Sequence, residues 1–324
     1  MFEKFHAEGL ISDASLAKVG DVSIHSVFSV HWELKTLLYL GVFLLSGGLS
    51  IWIYQHLDSI DHTVIVFGIA LVCVGSFGYC LRFRAPFSWG KTVSPTIFYD
   101  YILLLACLTF VTLIAYLQFQ YSLFGNSLRL AGFIPLLILF PAAYYFDHLG
   151  VLSLGITNLA AWLGIVATPL GLWRSNDFSD TRLIYAGLGL GILMVLAALL
   201  SKKSGFKAHF AFTYENFGIH LLSISCLAGM FHYFNDYWPL WLLLLLGSVA
   251  WFYRRAIFER SFYFLVIISL YGYVGISTGV IRILWMINDV GAIYLGLFYF
   301  ILSAIGMALF LVKENKKMKA YGRL

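Results

Sequence analysis

Six side chains of the types that hold a divalent metal fall in two short stretches of this sequence. His56, Asp58, Asp61 and His62 crowd into one short stretch, and His232 and Asp236 stand four residues apart. Imidazole and carboxylate ligands suit zinc and similar cations, and a helix continuing one turn past His232 would carry Asp236 on the same face. Polar residues are also needed wherever an apolar helix leaves a membrane, so solvated helix ends are the plainer account of the same set, to which Asp289 belongs by position.

A second group could handle protons. Asp100 lies near the start of one apolar run, and Glu215 and His220 near the start of another. His220 should sit about 9 Å beyond the end of its helix, six residues at 1.5 Å each. Ionisable groups at that depth are costly and often mark proton or ion paths. The competing account for the two acids is that a carboxylate in a first helical turn complements the helix dipole. Asn158 is the strongly polar residue nearest a midplane, beside Thr157 and one turn from Trp162. Its amide must find a partner, which is either a neighbouring helix or a bound solute, and interhelical bonding is the commoner use.

The elements that would position these residues are membrane spans. The chain has 324 residues, of which 61% are hydrophobic and only 11% charged. That is too few polar side chains to coat a water-soluble globule, where about a quarter are charged. A crossing helix needs about 20 mostly apolar residues. Ten runs qualify, near 37–55, 64–81, 97–118, 130–146, 149–170, 183–200, 215–233, 239–253, 262–281 and 290–312. The fourth and fifth are separated only by Asp147 and His148, as a tight hairpin or a broken segment.

Placing the N-terminus in the cytoplasm puts 17 of the 21 Lys and Arg residues inside and leaves Arg129, Arg174, Arg182 and Arg282 outside. Such a bias orients a polytopic protein, and changing the number of spans by one spoils it. The net charge of +5 therefore reads as topology, and no nucleic-acid partner is expected. No cleaved signal peptide is expected either, because a polar segment precedes the first apolar run.

Cys73, Cys80, Cys107 and Cys226 lie inside apolar runs without CxxC spacing and read as small packing residues. Gly187, Gly189 and Gly191, and Gly275 with Gly279, have the spacing that lets helices approach closely. Trp52, Trp173, Trp238, Trp251 and Trp285 fall near span ends, at headgroup level. No lysine lies mid-span to form a retinal Schiff base and no pair of mid-span histidines could ligate haem, so no cofactor is expected. Ten spans divide into five plus five of opposite orientation, the plan of inverted-repeat carriers. The fourth span, interrupted by Pro135 and Pro141, would then correspond to the ninth.

Gly9-Leu10-Ile11-Ser12, a short polar helix over 14–19 capped by Ser12 and Asp13, and a glycine-bearing first span with Gly41, Gly47 and Gly48 resemble a bacterial family of predicted membrane proteins. This is the domain-of-unknown-function family numbered 2157. The resemblance covers the first third to half of the chain. It implies a bacterial cytoplasmic membrane location and brings no activity. The ten-helix layout also resembles the drug/metabolite transporter superfamily, although such carriers begin their first helix close to the N-terminus.

The expectation is an all-α, polytopic transmembrane bundle of about ten spans with both ends cytoplasmic. Residues 1–35 form a short cytoplasmic helical extension, 36–312 the membrane domain and 313–324 a basic tail. The expected function is binding or transport of a small solute or ion, with Asn158, His220, Glu215 and Asp100 on the pathway. The alternatives are a non-transporting scaffold or sensor that meets a cytoplasmic protein through residues 1–35, and a membrane metalloenzyme using the outer His/Asp set. The lipid bilayer is the expected partner.

Overall fold

The computed structural model describes residues 12–13, 31–55, 61–96, 98–167, 181–233, 236–287 and 289–321. The polar helix expected over 14–19, together with His56, Asp58 and Trp173, lies outside them. Among the described residues there are ten α-helices and no strand. They are α1 His31–Gln55, α2 His62–Arg82, α3 Tyr99–Tyr121, α4 Leu128–Phe146, α5 Leu149–Ala167, α6 Thr181–Ser204, α7 Phe210–His232, α8 Trp238–Phe258, α9 Phe262–Ile287 and α10 Val290–Tyr321. The chain divides into two compact units, Met1–Asp61 and His62–Leu324. The first contributes α1, a single apolar helix.

Within the second unit, seven helices (α2, α3, α4, α6, α8, α9 and α10) are long and apolar enough to cross a membrane. Shorter apolar runs, Thr36–Leu49 and Leu149–Gly164, belong to α1 and α5. The exception is α7, which carries Thr213, Glu215, Asn216, His220, Ser223 and Ser225. Its polarity has a packing reason: α7 contacts α5, α6, α8 and α9. It also supplies residues to all three buried clusters, with Phe210 and Tyr214 in one, Ile219 in the second, and Cys226 and Met230 in the third. In lipid, polar side chains turn toward the interior of a bundle, so a helix that carries this many of them takes a central place.

Small residues set how closely α6 and α7 pack. A Cβ on Gly191 would stand 2.9 Å from the Leu222 backbone nitrogen, and one on Gly218 would stand 2.8 Å from Val195 Cγ2. Gly187 faces Ser225 in the same way, whereas Gly189 faces open space and takes no part. Gly275 and Gly279 admit Leu245 and Leu242 of α8. The four cysteines are buried free thiols, as their apolar context implies.

Three expectations change. The prolines do not break α4, which runs through Pro135 and Pro141 as one helix. Because α7 starts at Phe210, Glu215 lies in its second turn and His220 about 15 Å from its start, so first-turn dipole compensation does not account for Glu215. Arg282 is not in a loop. It lies within α9, only 3% exposed, where its guanidinium donates to the Met230 carbonyl at the end of α7 and faces the Trp238 ring at 5.4 Å. A cation there meets a helix C-terminus whose last carbonyls have no intrahelical donor.

Candidate functional site

The charged side chains of the second unit concentrate at one end of its bundle, beginning at the α4–α5 junction. Asp147 ends α4 in the left-handed region (φ 59°), which aspartate tolerates better than most residues, and its amide bonds back to the Ala143 carbonyl. His148 then caps α5, its Nδ1 accepting the Val151 N–H at 3.0 Å. The two-residue connection is therefore a tight hairpin.

Asp147 gathers two further loops. Its Oδ2 accepts the Thr92 N–H at 2.5 Å and the Thr92 hydroxyl at 2.9 Å, both from the α2–α3 loop. Its Oδ1 meets His209 Nε2 at 2.7 Å and Lys207 Nζ at 3.1 Å, both from the α6–α7 loop. Lys207 is wholly buried. Its Nζ also donates to the Gly90 carbonyl, its backbone N–H donates to the Trp89 carbonyl, and its own carbonyl accepts the Ser201 hydroxyl. Burial alone would raise the Asp147 pKa, but the Thr92 amide, Lys207, the Thr92 hydroxyl and His209 together outweigh it and hold the carboxyl below its usual range. A carboxylate is acceptor-only, so His209 carries its proton on Nε2 here.

Beside this clamp, Asp100 in the first turn of α3 accepts the Ser94 hydroxyl at 2.5 Å, and the His148 Nε2 lies 4.0 Å away. Because Nδ1 of His148 is an acceptor, a neutral ring bears its hydrogen on Nε2, the atom turned toward Asp100.

The starts and ends of α6, α7 and α8 supply a second network. Glu215, with its side chain 3% exposed, lies between Lys202 Nζ at 2.9 Å and Arg255 Nε at 2.6 Å. Glu259 meets the same two cations at 2.5 Å and 2.9 Å. Two acids shared by two bases make a neutral set, which is how charge persists in a low-dielectric setting. Further along α7, His220 Nδ1 pairs with the Tyr271 hydroxyl of α9 at 2.7 Å. Asn158, half-buried in α5, has an Oδ1 that accepts no hydrogen bond among the described residues.

The residues expected on a pathway thus have distinct partners. Asp100 belongs with His148 and Ser94, Glu215 with Lys202, Arg255 and Glu259, and His220 with Tyr271; the last two share α7. In the outer His/Asp set, His62 Nδ1 pairs with the Tyr116 hydroxyl at 2.9 Å and His232 Nε2 with Thr181 Oγ1 at 3.0 Å. Asp61 ends the first unit, and Asp236 lies in the turn before α8. Among the described residues no three His, Cys, Asp or Glu side chains gather as metal ligands.

Sequence reading did not single out Asp147, His148, Lys207, His209, Thr92, Lys202, Arg255 or Glu259 as site residues. A signal existed in the dipeptide Asp147-His148 between two apolar runs, and in Lys207 and His209 behind the turn residue Gly205. The bonds that tie Asp147 to Thr92 and Lys207 to Gly90 span 55 and 117 positions of sequence.

No curated protein and no solved structure matches the chain. Its all-helical build with several spanning-length apolar helices is that of a membrane protein, and Thr92, Asp100, Asp147 and His148 fall in the part that a family model covers. Residues 3–152, the N-terminal part of the chain, match the model of the family DUF2157, a predicted membrane protein.

Proposed function

We propose that the protein binds or moves a small solute or ion, with a proton as the simplest cargo, along the central helix α7. One observation carries this reading: Glu215, almost fully buried between Lys202 and Arg255, is followed on the same helix by His220 paired with Tyr271. Exchangeable groups in sequence along a buried polar helix are what a proton path requires. Asn158, with an acceptor open on α5, and Asp100 beside His148 are assigned to the same path.

The assigned setting is a bacterial inner membrane crossed ten times with both termini cytoplasmic. Its support is the lysine and arginine bias, together with one geometric fact. The loops at 83–98, 147–148 and 205–209, which that bias assigns to a single side, meet around Asp147.

The test is proton flux into vesicles containing the full chain and a pH-sensitive dye. Wild type dissipates an imposed pH gradient faster than empty vesicles, and Glu215→Gln, His220→Ala and Asn158→Ala slow it. Variants indistinguishable from wild type, or a wild type that moves neither protons nor any solute in a broad uptake screen, contradict the reading.

A non-transporting scaffold or sensor is the second reading, favoured by the clamp that ties three loops into one packed end. It is supported if the vesicles stay tight while a cytoplasmic protein binds through residues 1–35.

A further inference from the structure

At the end of α9 away from the charged network, α9 and α10 border a crevice. Ser277 pairs with the Tyr299 hydroxyl at 3.0 Å and Tyr273 with the Ser303 hydroxyl at 3.0 Å, so the two helices are stitched together up to that level. Beyond it lies this crevice of about 520 Å³, lined by Ile281, Leu284, Ile293, Gly296, Leu297 and Phe300. Its rim carries Trp285 and Asp289.

Three properties define the occupant. From Tyr299 to Asp289 the crevice follows ten residues of helix, about 15 Å, which is the hydrocarbon depth of one leaflet. Its walls are apolar, and Ile281, Ile293, Leu297 and Phe300 on them are exposed, as side chains that face lipid are. At the rim, Trp285 is largely exposed, as indoles at headgroup level are, and Asp289 is the charged residue among those lining the crevice. Arg282, one turn before Trp285, faces Trp238 and the Met230 carbonyl. A carboxylate at the mouth disfavours an anionic headgroup and favours one that presents N–H donors with positive charge.

We propose that this crevice holds one acyl chain of a glycerophospholipid whose headgroup bears a primary amine, with the ammonium at Asp289. Asp289 also caps α10, its Oδ1 accepting the Val290 N–H at 2.7 Å, which fixes the carboxylate at the rim. The assignment does not depend on whether α7 conducts.

Native mass spectrometry of the full chain tests it, after reconstitution with equal phosphatidylethanolamine, phosphatidylcholine and phosphatidylglycerol of identical acyl chains and extraction in mild detergent. The expected result is a monomer carrying one phosphatidylethanolamine, preferred about fivefold over phosphatidylcholine, the factor that one partly exposed ion pair provides. Gly296→Phe fills the crevice and abolishes retention. A Cβ at this position meets only Leu284 Cδ1, at an ordinary 3.5 Å. Ile293→Trp gives the same reading should that variant fail to fold. Asp289→Asn keeps the helix cap and still retains a lipid, but without headgroup preference. The proposal is overturned by a wild type that retains no lipid, by equal retention of all three headgroups, by undiminished retention in the filled variant, or by a dimer in place of the lipid-bearing monomer.

Discussion

The Asp147 clamp and the α9–α10 edge are parts of one bundle held by opposite means. Around Asp147, four donors converge on one carboxylate, and the groups that pair come from three loops. Along α10 the exposed face is a run of large apolar side chains, among them Leu295, Phe298, Ile301, Leu302 and Ile305, and the polar contacts to α9 are the two hydroxyl pairs. In water the apolar edge would drive stability and the ion pair would be a minor term. In lipid the order reverses, because apolar surface facing acyl chains gains little from burial, whereas a buried charge without its partner is very costly.

This contrast breaks most sharply at Lys207. Removing it strands the Asp147 carboxylate, so Lys207→Ala lowers stability by about 3–5 kcal/mol, read as a lower melting temperature in detergent. Pairing it with Asp147→Asn restores much of the loss, because the remaining group is uncharged. The same clamp sets an acid limit. The Asp147 carboxyl is held below its usual range, so its contribution is fully present above the ordinary aspartate value and is lost as pH falls through the lowered one. Melting should therefore be insensitive to this group from neutrality down to about pH 4 and fall below it, and Asp147→Asn should flatten that acid slope.

Next in size is the α6–α7 contact, where Gly191→Leu forces a side chain against the Leu222 backbone and destabilises by about 1–3 kcal/mol. At the α9–α10 edge, Tyr299→Phe removes one interhelical bond and costs only about 0.6 kcal/mol by the same melting assay. If this variant proved as damaging as Lys207→Ala, the two regions would not differ as described.

How much of this was legible in the sequence follows from the range of the forces involved. Runs of apolar residues report the solvent directly, so the helices appear close to the expected spans. The buried thiols and the close-packed Gly191 and Gly275 follow from the same local pattern. Helix ends were less legible. Phe210 to Tyr214 extend α7 backwards, and Arg282 stays helical, because tertiary partners satisfy polar groups that local hydropathy would assign to water. The clamp was least legible. Lys207 counts toward a charge bias like any other loop lysine, and only the fold reveals that it is buried against a carboxylate 60 positions earlier.

The most direct measurement is side-selective labelling of single cysteines introduced at the exposed positions Ser94, Ala208 and Asp236, using a membrane-impermeant thiol reagent on sealed vesicles. The four native thiols are buried and should stay silent. Cysteines at 94 and 208 are expected to react from one face and that at 236 from the other. Reaction of 94 and 208 from opposite faces would contradict the convergence of loops at Asp147 on which the charged end is built.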